Sequence, residues 1–348
     1  MRTRMSCVAA VLWLAAGCAD TIGAGENGDT SLDEPAVASQ VVLPDDDTPP
    51  DPDADDTSDD DGAGDDAIDA ARPSTDDAAD DAVDAGSGGV DETPSAGGGN
   101  MPKIPEVTGT CPDFRSGTAT IGGLRGIQMQ VGAKKNGTGS LVFYWHGTGS
   151  SSFESRMFAG TNEVLAQGGI VVAPSGSLRT GGDCSGTGTF SKDDMKVADL
   201  IYACAVKNHG IDPKRVYTTG CSAGGLQAGC FASLRSSYVA AAVPNSGGIV
   251  FPQTIQDKNH IPAVMTMHGG ASDVVIVTFS QTSASLDRQF KAAGGFVVNC
   301  NHGGGHCGAP GNLQQAGWTF MKAHPFGTKP SPYESGLPSG FPSYCKKF

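Results

Sequence analysis

Beyond residue 110 the chain alternates short apolar runs with segments whose apolar residues recur at helical spacing, whereas residues 19–100 show neither period. This alternation predicts a mainly parallel sheet covered by helices on both faces. Residues 119–131 predict a hairpin turning at Gly122-Gly123 or at Gly126. Strands are expected at 141–145, 170–173, 215–219, 239–243, 263–267 and 296–298. Helices are expected at 153–167, 193–209, 223–234, 280–293 and 313–324. Only residues 244–262 lie between two of these strands, which leaves no room for a large lid and predicts an open site. From Phe326 onward Pro, Gly, Ser and Tyr dominate, so the chain is expected to wrap the surface, with Cys345 as an anchor.

Composition divides the 348 residues near position 100. Arg2 and Arg4 precede an apolar run from Val8 to Ala16 and then Gly17-Cys18, a pattern that resembles a bacterial lipoprotein signal with Cys18 as the lipidated residue. An ordinary secretory signal is the alternative, and either predicts export to the outer cell surface or medium. The run is too short to cross a bilayer, so any membrane contact is expected only through a lipid at Cys18. Residues 19–105 form an Asp/Ala/Gly-rich linker with blocks such as Asp45-Asp46-Asp47. They hold too little apolar surface to offset the entropy of folding. The expected organisation is therefore a signal at 1–18, a disordered linker at 19–105 and a catalytic domain at 106–348.

The formal charge of −15 belongs to the linker. Residues 1–100 hold 25 of the 38 acidic and 3 of the 23 basic residues, leaving 20 basic against 13 acidic residues beyond them. No basic stripe interleaved with aromatics and no nucleic-acid-binding motif is present, which argues against a nucleic-acid partner. No EF-hand spacing occurs in the acidic blocks, and no Cys-x-x-Cys pair suggests a metal. Of ten cysteines, eight remain after Cys7 and Cys18, an even number that suits disulfides in an exported chain.

The chemistry gathers on three short segments. Gly220-Cys221-Ser222-Ala223-Gly224 is a G-x-S-x-G pentapeptide between a predicted strand and helix, which points to Ser222 as a nucleophile. A serine hydroxyl is a weak nucleophile and needs a base oriented by a carboxylate. Among seven histidines His306 is favoured because it lies in the Gly-rich loop after the last predicted strand, with His302 as runner-up. Asp273, in the loop after the strand 263–267, is the expected carboxylate; Asp257 falls in a polar loop, and Asp287 beside Arg288 reads as a solvated surface charge. His268 is expected to shape the turn before Asp273, and His146 the oxyanion loop. Two backbone N–H groups, those of Ala223 and Thr148, are expected to receive the oxyanion. Tyr144, Trp145 and Phe153 are expected in the core, an aromatic wall for an acyl group being the alternative. Were Cys221 and Cys307 bonded, their neighbours Ser222 and His306 would be held side by side.

Three motifs, Trp145-His146-Gly147-Thr148-Gly149, Gly220-Cys221-Ser222-Ala223-Gly224-Gly225 and Gly304-Gly305-His306, lie in a region from Cys111 to Cys345. That region resembles the extracellular poly(3-hydroxybutyrate) depolymerase and feruloyl esterase group of α/β-hydrolases. Cysteines beside both serine and histidine also resemble the CS-D-HC arrangement of tannases and fungal feruloyl esterases. That resemblance implies a Cys221–Cys307 disulfide and the triad Ser222, Asp273 and His306. The chain lacks the long insertion that forms the tannase lid. The resemblance implies an α/β-hydrolase fold and a secreted or surface-anchored serine carboxylesterase without metal or organic cofactor, expected as a monomer. Its substrates would be polymer-linked esters: feruloyl or acetyl polysaccharide esters, or a polyhydroxyalkanoate-type polyester. A serine peptidase of the same fold and a silent binding protein are the alternatives. Six cysteines outside the pair allow fifteen connectivities, and sequence does not choose among them.

Overall fold

The structure, a computed structural model, describes residues 101–176 and 182–348. The expected signal, Cys18 and the linker up to residue 100 lie outside the described residues. The chain is already fixed to the domain at its first described residues: Pro102 is buried, and the Lys103 N–H donates to Ser237 O at 2.9 Å.

Nine strands form one sheet: β1 (Gly117–Ile121), β2 (Leu124–Val131), β3 (Gly139–Trp145), β4 (Ile170–Ala173), β5 (Ile211–Cys221), β6 (Ala241–Asn245), β7 (Ala263–His268), β8 (Val297–Asn301) and β9 (Cys345–Lys347). Their spatial order is β1-β2-β4-β3-β5-β6-β7-β8-β9. Strands β3 to β8 run parallel, while β1, β2 and β9 add antiparallel edges. The hairpin turns at Gly122-Gly123, both at positive φ, a geometry that glycine adopts without steric cost.

Central parallel strands are covered on both faces, so β3 and β4 are buried along their whole length and read as continuous apolar runs. On one face α2 (Asp194–Cys204), α3 (Ala223–Leu234) and α4 (Phe279–Ala292) pack on the sheet around Phe143 and Trp145, with Phe231 of α3 in the same cluster. On the other, α1 (Thr161–Ala166), α5 (Gly311–Ala323) and the C-terminal tail enclose Val142, Tyr217 and Met265. No helix among the described residues is long and apolar enough to cross a membrane.

Two local expectations change. The helix expected at 153–167 is divided into a 3-10 turn (Ser152–Met157) and α1, with Phe158-Ala159-Gly160 between them. Gly160 lies so close to the rings of Trp318 and Phe158 that a Cβ there would meet both within 2.8 Å, so tertiary packing sets this turn. Beyond α5 the tail does wrap the surface, and its end adds the unforeseen β9 against β8.

Among the described residues four disulfides fix the connections: Cys111–Cys204, Cys184–Cys230, Cys221–Cys307 and Cys300–Cys345. The first ties the segment ahead of β1 to the end of α2, and the second ties the loop after β4 to α3. The last anchors β9 to β8 through the residue expected to act as the tail's anchor. Such a set is typical of proteins folded in an oxidising compartment.

Candidate active site

Parallel strands bring their C-terminal ends to one edge, where the connecting loops converge. Strand β5 enters α3 through Ser222, whose φ of 59° and ψ of −123° are rare for a non-glycine residue. Backbone held in such a region stores about 1–3 kcal/mol and persists only where its surroundings impose it. Here the surroundings are glycines. A Cβ on Gly220 or Gly224 would overlap the Trp145 carbonyl, so only glycine lets α3 begin this close to β3. The Ser222 N–H donates to Asn245 O at 3.2 Å, tying the turn to the end of β6.

Asp273 follows β7 and is completely buried. Its Oδ1 accepts from His306 Nδ1 at 2.8 Å, and its Oδ2 accepts from the Gly269 N–H at 2.9 Å and the Ser246 hydroxyl at 2.8 Å. Burial alone would raise this carboxyl. Bonds from His306, Gly269 and Ser246 outweigh burial and hold the group below the ordinary carboxylate range. Because Nδ1 carries the proton shared with the carboxylate, His306 Nε2 is left as the acceptor. The Phe279 ring, at 4.6 Å between centroids, packs on the imidazole. Cys307 bonds to Cys221 with 5.9 Å between Cα atoms, so the residues following Cys221 and preceding Cys307 are joined covalently through their neighbours.

The competing residues go elsewhere. His302 Nδ1 accepts from the Gly304 N–H at 3.0 Å within its own loop. His268 Nδ1 accepts from the Gly270 N–H at 3.1 Å, and its Nε2 faces Asn299 Oδ1 at 3.2 Å, so this ring shapes the turn ahead of Asp273. Asp257 accepts from the Asn259 N–H at 2.9 Å in a turn of its own. Asp287 is not a solvated surface charge. It is fully buried, takes the Thr266 hydroxyl at 3.0 Å and Asn299 Nδ2 at 2.7 Å, and burial pushes its carboxyl up to about 7 despite those bonds.

On the other side of Ser222 runs the loop after β3. A Cβ at Gly147 would sit 3.5 Å from Ser222 Cβ, which places this loop directly against the serine. Glu154 holds it, with Oε2 accepting from the Gly147 N–H at 3.1 Å and Oε1 from the Tyr144 hydroxyl at 3.0 Å. His146 lies between the carbonyls of Gly147, 2.8 Å from Nδ1, and Ser175, 3.1 Å from Nε2. Thr148 is exposed, and its hydroxyl meets that of Thr189 at 2.6 Å, while Ala223 is buried as the first residue of α3. Trp145 and Tyr144 are core residues, the indole donating to Thr218 Oγ1 at 3.0 Å, so neither forms an acyl wall. Phe153 is exposed beneath Arg156.

Ser246, Glu154 and Phe279 do not announce themselves in the sequence. The only signal for Ser246 is its place: it follows β6, the strand between those leading to Ser222 and to Asp273.

No protein-family model matches the chain, and no curated protein matches it by sequence. Solved structures share its fold. Native pOPH superposes with a TM-score of 0.53 at 17% identity over 69% of this chain and 96% of that one. Native sOPH gives 0.52 at 16% identity over 69% and 96% of the two chains. A pOPH variant in complex with DMSO gives 0.54 at 15% over 69% and 95%. The fold is that of the α/β-hydrolases.

Proposed function

We propose that this protein is a serine hydrolase of carboxylic esters that works through an acyl-enzyme. The observation that carries this reading is the 2.8 Å bond between His306 Nδ1 and the buried Asp273, on a loop bonded through Cys307 to the residue preceding the strained Ser222. Ser222 Oγ attacks the ester carbonyl carbon while its proton passes to His306 Nε2, and Asp273 stabilises the imidazolium that results. The tetrahedral oxyanion is received by the backbone N–H groups of Ala223 and Thr148. Collapse expels the alcohol, which takes the proton from His306, and water repeats the sequence to release the acid.

The substrate we propose is a polymer-linked ester, either a feruloyl or acetyl group on polysaccharide or a polyhydroxyalkanoate-type polyester. Two features support this. The connection 246–262 between β6 and β7 contains no helix or strand that would cover the serine. Directly after Asp273, Val274, Val275 and Ile276 stand exposed, an apolar rim suited to a long or insoluble substrate. Export on a lipid at Cys18 belongs to the same proposal, and the four disulfides suit it.

Comparing p-nitrophenyl acetate, methyl ferulate, a polyhydroxybutyrate film and a peptide tests the reading. Hydrolysis of the aryl ester that Ser222→Ala abolishes, with higher turnover on the ferulate or the film, is the expected result. Cleavage of the peptide alone would establish a peptidase. No turnover by folded protein on any of the four would favour a silent binding protein.

A further inference from the structure

We infer that Ser246 is a positioning residue whose hydroxyl joins the catalytic acid to the backbone of the base; this rests on the triad proposed above. Ser246 is fully buried, and its hydroxyl makes two bonds, each 2.8 Å. Its single proton goes to Asp273 Oδ2, and one lone pair accepts the N–H of Cys307, the residue after His306. With Ser246 and Gly269 both donating to Oδ2, the carboxylate cannot rotate without losing two bonds, and Oδ1 is reserved for His306 Nδ1. The same hydroxyl fixes where the His306 backbone lies relative to that carboxylate.

The backbone at Ser246 shows what holds the hydroxyl there. Its φ is 41°, and its N–H donates to Met267 O at 2.7 Å, so the end of β6 is turned toward β7. The preceding residue completes the junction: Asn245 O accepts the Ser222 N–H at 3.2 Å, and Asn245 Nδ2 donates to Cys307 O at 3.3 Å. Two consecutive residues thus touch the nucleophile turn, the acid and the loop of the base. The Cys221–Cys307 disulfide links the nucleophile strand to the base but does not reach Asp273, and Ser246 supplies that third side.

Ser246→Gly removes the hydroxyl without strain, because glycine accepts φ 41°, and Ser246→Ala removes the same hydroxyl while keeping the Cβ. Three readouts separate positioning from mere structure: kcat against KM on p-nitrophenyl acetate, the low-field proton resonance of His306 Nδ1, and hydrogen exchange at the Cys307 amide. In folded Ser246→Gly, kcat is expected to fall about tenfold with KM within about twofold, since small misplacements of a catalytic group act on the transition state. The low-field resonance shifts, because Asp273 retains one donor fewer, and the Cys307 amide exchanges faster. An unchanged resonance together with unchanged Cys307 exchange overturns the inference, as does a KM rise at constant kcat. If neither variant folds, the wild-type protein carries the test: its Cys307 amide must exchange slowly, and fast exchange overturns the proposal. Wild-type protein without ester turnover whose resonance and exchange still respond to Ser246→Gly would sink the hydrolase reading and leave the positioning role intact.

Discussion

The two sides of Ser222 are built differently. On the side of Asp273 and His306, the proposed acid and base, Asp273 is completely buried and receives three hydrogen bonds, and a disulfide joins the His306 loop to the strand that leads into Ser222. On the side proposed to receive the oxyanion, the loop Gly147–Ser150 is largely exposed and rests on the Glu154 carboxylate and one hydroxyl contact to Thr189. Proton transfer needs fixed geometry over a few tenths of an ångström, so the first side is buried and bonded on several axes. Substrate must approach the second, so that side stays open and its order depends on fewer groups. Under the function proposed above, reaction type is set on the buried side, and choice of ester on the exposed one.

If this division holds, damage to the buried side costs most. Asp273→Asn keeps the shape but no longer enforces the Nδ1–H tautomer of His306, and kcat should fall about 10³–10⁴-fold in steady-state assays with the fold intact by circular dichroism. Next is Cys307→Gly, chosen because Cys307 sits at φ 57°. Loss of the brace should lower kcat about 10–100-fold with little change in KM, and should cost about 2–5 kcal/mol in denaturant unfolding. Unchanged turnover in the folded variant would remove the disulfide from the catalytic account.

On the exposed side Glu154→Ala leaves the Gly147 N–H and the buried Tyr144 hydroxyl without their acceptor, each costing about 1–3 kcal/mol. Roughly tenfold lower kcat is expected, with Glu154→Gln much closer to wild type because an amide can still accept one bond and donate the other. A loss as large as that of Asp273→Asn would contradict the division.

How much of this was legible before the structure depends on whether a feature is local. The strand into Gly220-Cys221-Ser222-Ala223-Gly224 and the helix after it were legible because period, glycines and nucleophile all lie within one stretch of chain. The break between the 3-10 turn and α1 was not, because one of the two rings that crowd Gly160, that of Trp318, is distant in sequence. Asp287 misled for the same reason. Beside Arg288 it looks solvated, but its partners Thr266 and Asn299 come from β7 and β8. Ser246 is one serine in a Gly-rich stretch, and only the sheet order puts it between acid and base.

Asp287 also gives the smallest effect on rate, since it touches no residue of the triad. Its carboxyl is raised to about 7 from an ordinary 3.8 by burial, so the folded state binds the proton more tightly than the unfolded chain. Its stability contribution is full below about pH 4 and is lost as pH rises through about 7, on the order of 4 kcal/mol. Asp287→Asn should flatten that part of the stability profile in urea unfolding across this range while leaving kcat near wild type. A profile that keeps its slope would show that burial does not govern this group.

Labelling the folded protein with a fluorophosphonate and mapping the adduct by mass spectrometry tests the central claim most directly. An adduct on Ser222, formed in wild type and strongly slowed in Asp273→Asn, is the predicted result. Folded wild-type protein without an adduct at Ser222, or labelled at another serine, would contradict the account.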